Sequence, residues 1–263
     1  MESKFLHKTV FATLRFLLVI ALLITRKLIV LGVFFVTVLS PANARFIEFD
    51  ATNVQLLRWL DSAGGNGDRT VISIEHANIW SHGDFFGFGD MTINDSGDIS
   101  VYGEISPRLS LSRTFGAHLK AGPFEDFYVA GTLEFANDNT RYLIGGGTLL
   151  KPFGFDFINL NAYVRDNPLQ AGQTYHVTLA WRRVFELSNS SILFEGFADL
   201  AGREGDLASN QITGPRLLFD VGKALSLKKN VVYAGFEAQY WRNKAGSSDI
   251  NEFVPKVLFY INL

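Results

Sequence analysis

The run Asp84-Phe85-Phe86-Gly87-Phe88-Gly89-Asp90 sets aromatic rings between glycines and an acid at each end. Read as an extended strand, it puts Asp84, Phe86, Phe88 and Asp90 on one face, because successive side chains alternate. That face offers rings for stacking, worth roughly 1–3 kcal/mol per base in nucleic-acid systems. It also offers carboxylates that accept hydrogen bonds. These are the groups that weakly hold a flat, uncharged solute rich in hydroxyls. A second reading stands beside it, in which Phe86 and Phe88 face lipid or belong to an interfacial girdle.

A better-determined set follows in Ile99–Leu111. Tyr102, Glu104, Ser106 and Arg108 share one face; Ile99, Val101, Gly103, Ile105, Pro107, Leu109 and Leu111 share the other. Tyr128 heads a similar polar face with Ala130, Thr132 and Glu134. A charged side chain against lipid costs roughly 2–4 kcal/mol at the bilayer midplane for Arg, so Glu104 and Arg108 are expected to point inward. Counter-charges across a lumen are expected among Glu134, Arg165, Arg182, Glu195 and Glu237. One reading is an ion network that holds a barrel open; the other is a set of hydrogen-bonding groups for a solute; one network can serve both.

The histidines add no chemistry of their own. His7 lies in the N-terminal region, His76 and His82 bracket a strand end, His118 falls in a turn and His176 shares a polar face. No pair has close metal-ligand spacing, and no nucleophile elbow is present. Neither metal nor cofactor is expected, and the chain is not expected to be an enzyme.

The rest of the sequence says what must position these residues. The chain has 263 residues, no Cys, 24 Gly and 24 Phe, with 19% charged and 14% aromatic residues. That excludes a disordered chain, disulfides and thiolate chemistry. Residues 1–44 stand apart. Arg26-Lys27 precede an apolar run, 28–39, and then Ala42-Asn43-Ala44, the pattern of a cleaved secretory signal. The run is short of the about 20 residues of a membrane-spanning helix, although a retained anchor is the competing reading. The expected division is an extension and signal over 1–44 and one domain over 45–263. Loss of Glu2, Lys4, Lys8, Arg15, Arg26 and Lys27 moves the formal net charge from −2 to −6, which disfavours polyanionic partners such as nucleic acid.

After residue 45, segments of about ten residues alternate apolar with polar or small side chains, separated by clusters such as Asn94–Asp98 and Gly202–Ser209. The pattern predicts about twelve strands, near 50–60, 69–80, 84–92, 98–113, 125–136, 140–151, 155–165, 172–185, 190–201, 209–222, 229–242 and 250–263. A soluble sandwich and a membrane barrel both suit two-faced strands. The signal, the segment lengths and a final strand that reaches the terminus favour an all-β, closed antiparallel transmembrane barrel.

Three stretches are more specific: Thr52–Leu57 (TNVQLL); Ile74–Asp90, with EHANIW and HGDFFGFGD; and Tyr102–Leu111 (YGEISPRLSL) followed by AGPFEDFYVA at 121–130. In this order they resemble the Tsx-type nucleoside-specific channels of Gram-negative outer membranes. The resemblance implies a monomeric twelve-stranded barrel in the outer membrane, surrounded by lipid. Its narrow lumen would pass nucleosides or similar small solutes passively, and its external loops could serve phage or colicins. The lumen residues expected from the strand faces are Asp84, Phe86, Phe88, Asp90, Tyr102, Glu104, Arg108 and Tyr128. The alternatives are a lipid-modifying barrel enzyme and a plugged structural or phage-receptor barrel.

Arg26-Lys27, the apolar run and Ala42-Asn43-Ala44 together predict that the membrane-embedded protein begins at Arg45. N-terminal sequencing reads this directly; an intact 16–40 segment contradicts it.

Overall fold

The computed structural model describes residues 46–60, 68–116, 118–137, 139–152 and 154–263. The expected signal and the boundary at 44/45 lie outside the described residues.

Thirteen strand segments form one antiparallel sheet. They are β1 (Ile47–Trp59), β2 (Arg69–Trp80), β3 (Gly83–Asn94), β4 (Ile99–Ser110), β5 (Phe124–Ala136), β6 (Asn139–Leu150) and β7 (Phe157–Asp166). Then follow β8 (Gln173–Glu186), β9 (Ser191–Ala201), β10 (Asn210–Thr213), β11 (Arg216–Asp220), β12 (Val232–Arg242) and β13 (Glu252–Asn262). β10 and β11 both pair with β9 on one side and β12 on the other, so they are two halves of one crossing. Gly214-Pro215 separates them, and Pro has no N–H to give to a ladder. The sheet therefore has twelve positions, and it closes. β13 pairs with β12 and with β1, from Asn53↔Asn262 to Trp59↔Lys256. No edge is left to expose backbone groups to lipid.

The even number of crossings puts the start of β1 and the end of β13 at one rim, with the connections after β2, β4, β6, β8 and β11. The opposite rim carries the loops after β1, β3, β5, β7, β9 and β12, among them 95–98, 167–172, 202–209 and 243–251.

The distribution of side chains is that of a soluble protein turned inside out. The outer wall carries exposed apolar residues such as Ile72, Ile74, Val129, Ile144, Val164, Phe236 and Phe259. The inner wall holds buried Gln55, Arg108, Glu134, Asn161, Arg165, Glu237 and Lys256. An apolar outer face and a polar inner face are the pattern of a transmembrane barrel.

One expected strand ran too far. The 98–113 segment ends as β4 at Ser110, where the chain turns into a short helix, α1 (Leu111–Phe115). Ser110 caps it, accepting from the Arg113 N–H at 2.9 Å. Gly116 ends it in the left-handed region at φ 65°. Alternation alone does not register a cap, so Leu111 read as one more strand residue.

Gly145 on β6 marks a close backbone approach to β7. A Cβ there would sit 2.0 Å from the Ala162 carbonyl oxygen, whereas one at Gly131 would meet nothing nearer than 3.8 Å. Gly145→Val is expected to cost about 1–3 kcal/mol as an overpacked site, lowering the temperature at which the folded band is lost in a gel-shift assay. Gly131→Ala should leave that temperature unchanged.

Candidate functional site

The β3–β4 register sets Asp84 opposite Arg108, Phe86 opposite Ser106, Phe88 opposite Glu104 and Asp90 opposite Tyr102. The β4–β5 register adds Arg108↔Ala130 and Ser110↔Tyr128. Directly paired residues share a face, so all eight residues singled out in the sequence lie on one wall. Arg108 shows which wall. It donates to Asn159 at 3.1 Å and to Asn161 at 3.3 Å, both on β7, three strands away. Only a chord through the interior makes that contact.

On this wall Phe86 and Phe88 lie 6.0 Å apart between ring centroids, tilted by 40°, and Phe88 lies 5.8 Å from Tyr102 at 54°. The three rings form a ladder across two strands. The Tyr102 hydroxyl donates to Glu104 at 2.6 Å, and the Ser73 hydroxyl donates to Asp90 at 2.5 Å. Glu104 stands opposite Phe88 on β3 and opposite Glu134 on β5. It also feels Asp199 from across the lumen.

Arg108 does not take the counter-charge expected from the far wall. Asp84, beside it on β3, holds it in a two-pronged pair at 2.7 and 2.6 Å. The Tyr128 ring lies 4.2 Å from the guanidinium carbon. Alternation gives faces but not cross-strand register, and the register put an acid next door.

The feature the sequence did not reveal is the node at Arg216. Its guanidinium donates to Glu237 at 2.6 Å and to Glu75 at 3.1 Å, and lies 3.8 Å from Glu195. Glu75 belongs to β2, with β12, β13 and β1 between it and β11, so this bond spans the interior too. Lys256 donates to Glu237 and to Gln239, each at 2.6 Å, and Arg182 donates to Glu195 at 3.1 Å. Opposite charges alternate through this network, which is how buried ions are tolerated. Around it Leu57, Val71, Leu193, Leu218, Val254 and Leu258 pack with Tyr233 and Tyr260.

The lumen is therefore two-sided. The side built from β9, β11–β13, β1 and β2 is packed: Leu258 is 0% exposed. On β3, by contrast, Phe86 is 40% exposed. At the loop-bearing rim Glu204, from the 202–209 connection, is buried against Arg165 at 3.1 Å and accepts from the Asn167 N–H at 2.8 Å. That loop folds inward over the mouth.

His176 faces the interior, 3.4 Å from Asp199. His76 is on the other wall, since its even-numbered neighbours Ile72 and Ile74 face outward. There it meets Thr52 at 2.9 Å and Asn78 at 3.2 Å, with the Phe85 ring 6.0 Å away.

No protein-family model matches the chain, and no curated protein matches it. Among solved structures, the chain is similar to the KdgM porin. The TM-score is 0.47 at 10% identity, over 80% of this chain and 98% of that one. It is similar to the NanC porin at a TM-score of 0.48 and 10% identity, over 81% and 100%. A KdgM porin in complex with disordered oligogalacturonate aligns at 0.46 and 10%, over 80% and 98%. At these values the likeness carries no function to this chain, and it does not bear on the Tsx-type resemblance. The barrel assignment rests on the pairings above.

The Arg216 node yields a paired prediction. Arg216→Met leaves Glu75, Glu195 and Glu237 without their shared cation and should cost about 3–5 kcal/mol of stability, read from urea unfolding in detergent. Glu75→Gln removes the charge from only the cross-lumen arm and should spare the fold while raising single-channel conductance.

Proposed function

We propose that this protein is a passive, monomeric channel of a Gram-negative outer membrane. It would pass small solutes that have a flat apolar face and no negative charge, nucleosides foremost. The rim where β1 begins and β13 ends faces the periplasm. The observation that carries this reading is the ladder Phe86–Phe88–Tyr102 on the lumen wall, with Phe86 exposed and Asp90 and Glu104 flanking it. Rings spaced along the wall let a base stack and pass from one to the next, and neighbouring carboxylates accept from sugar hydroxyls. Binding of this kind is weak enough to permit exit. The Tsx-type resemblance supports nucleosides in particular.

Charge narrows the solute class. Arg108, Arg141, Arg165, Arg182, Arg216 and Lys256 on the inner wall are each held by a carboxylate. No described Lys or Arg pairs with Asp90 or Glu104. Oligogalacturonate, bound in one of the similar porin structures, is an acidic oligosaccharide. A polyanion would find these six cations already engaged; Arg69, on the same wall, lies over the Trp59 ring.

One observation favours a second reading. The Arg216–Glu75 bond crosses the interior, as it would in a plugged barrel that serves as a structural or receptor protein. Conductance across a planar bilayer separates the two, because a plugged barrel inserts and passes nothing.

Changing Phe86 and Phe88 together to Leu should weaken nucleoside binding about tenfold, equivalent to about 1.4 kcal/mol. Liposome swelling should then slow for nucleosides and stay unchanged for sugars of equal size. Equal slowing for both would show that the rings are structural.

A further inference from the structure

The wall that faces the aromatic ladder carries a second set of groups, which the nucleoside reading does not use. In a ring of twelve positions β9 lies opposite β3. Tyr163 on β7 pairs with His176 on β8, and Thr178, two residues along β8, pairs with Asp199 on β9. Tyr163, His176 and Asp199 therefore share the inner face. The Tyr163 and His176 rings meet edge to face, 6.3 Å apart at 66°. His176 is only 7% exposed, and its Nε2 lies 3.4 Å from Asp199 Oδ1. Neither the Nδ1 of this ring nor Asp199 Oδ1 has a hydrogen-bond partner.

The acids across this space have no base between them. Asp199 and Glu104 are close enough to repel each other through the lumen, and Asp90 and Glu134 add to the charge at Glu104. Arg141 holds Glu134 at 3.0 Å, and Arg108 is held by Asp84. No described Lys or Arg pairs with Asp90, Glu104 or Asp199. Like charges set against one another in a protein interior are unfavourable, and a positive group placed between them relieves the cost. The uncommitted groups are also of one kind. An ionised carboxylate only accepts, and with the ring proton on Nε2, toward Asp199, the His176 Nδ1 accepts too. Aromatic faces, here Phe88, Tyr102 and Tyr163, attract cations. An ammonium group, with three donors and no acceptor, is the complement of all of these.

We propose that the lumen has a cation subsite between Glu104 and Asp199, and that aromatic amines carrying an ammonium group are a second class of solute for this channel. The ammonium donates to the unpaired carboxylates and to His176 Nδ1, and the ring lies against the ladder. Passage of such a solute rests on the channel reading; the subsite does not rest on the nucleoside assignment, because neither base nor sugar takes part.

Three phenols of nearly one size test this by calorimetric titration of the folded full-length barrel in detergent. Tyramine carries an ammonium, tyrosol a hydroxyl in its place, and 4-hydroxyphenylacetate a carboxylate. Tyramine should bind about tenfold more tightly than tyrosol, the worth of one hydrogen bond to a charged group, and 4-hydroxyphenylacetate should not bind. Asp199→Asn should bring tyramine down to the level of tyrosol; Glu104→Gln does the same from the other wall and is the second variant should Asp199→Asn fail to fold. Equal binding of tyramine and tyrosol by the unchanged protein would overturn the subsite. Unaltered tyramine binding in both variants would overturn its assignment to these residues. In a planar bilayer with a gradient of tyramine chloride, the reversal potential should favour tyramine, and one that favours chloride would overturn the second solute class. Nucleoside swelling is measured separately on the unchanged protein: tyramine binding without nucleoside flux removes the nucleoside reading and leaves the subsite standing.

Discussion

The pairing of β1 with β13 is the constraint on which the rest of the structure depends. It joins the two ends of the sheet and satisfies the last free row of backbone groups, down to the Leu263 N–H on the Thr52 carbonyl at 2.9 Å. Once the sheet is closed, every strand has one face inside and one outside, and parity is no longer a local choice. A slip of one residue anywhere would carry that strand's charges into lipid. The ladder Phe86–Phe88–Tyr102 is on the lumen side because Asp84↔Arg108 and its neighbours are locked into this common register.

The inner wall then has to accommodate ions that the fold has removed from bulk water. It does so unevenly. Around Arg216 and Lys256, acids and bases alternate and apolar side chains fill the remaining space. Along β3 and β4, Glu104 and Asp90 are held by hydroxyls rather than by cations. The first arrangement braces the barrel across its interior. The second leaves acceptors beside the half-buried Phe88 and Tyr102 and the exposed Phe86, which is where a solute finds something to bind. Bracing and binding are thus done by different sectors of one wall. This is why a packed interior on one side is compatible with a path on the other.

Much of the fold is legible in the sequence because alternation is a local property. The 69–80 segment was expected from its pattern alone, and β2 spans Arg69–Trp80. Which residues face inward on β4 followed from the cost of Glu104 or Arg108 in lipid. What could not be read is what depends on register or on local hydrogen bonds. Asp84 as the partner of Arg108 requires knowing how β3 slides against β4. The Arg216–Glu75 bond joins residues 141 positions apart, and neither side chain signals the other. The break at Gly214-Pro215 and the Ser110 cap are single-residue events that a periodicity smooths over. His76 illustrates the same limit. It reads as a strand-end residue, yet it sits on the outer wall within a polar cluster of its own.

Inside–outside parity decides which side chains line the lumen, and the absence of native cysteine makes that parity directly measurable. Single cysteines placed at positions 86, 88, 102 and 106 are compared with others at 72, 74, 101 and 105 in intact membranes. A water-soluble maleimide should label the first set through the lumen, and only a lipid-soluble reagent should label the second. Equal labelling of both sets by the water-soluble reagent would contradict a closed transmembrane barrel with these rings on its inner wall.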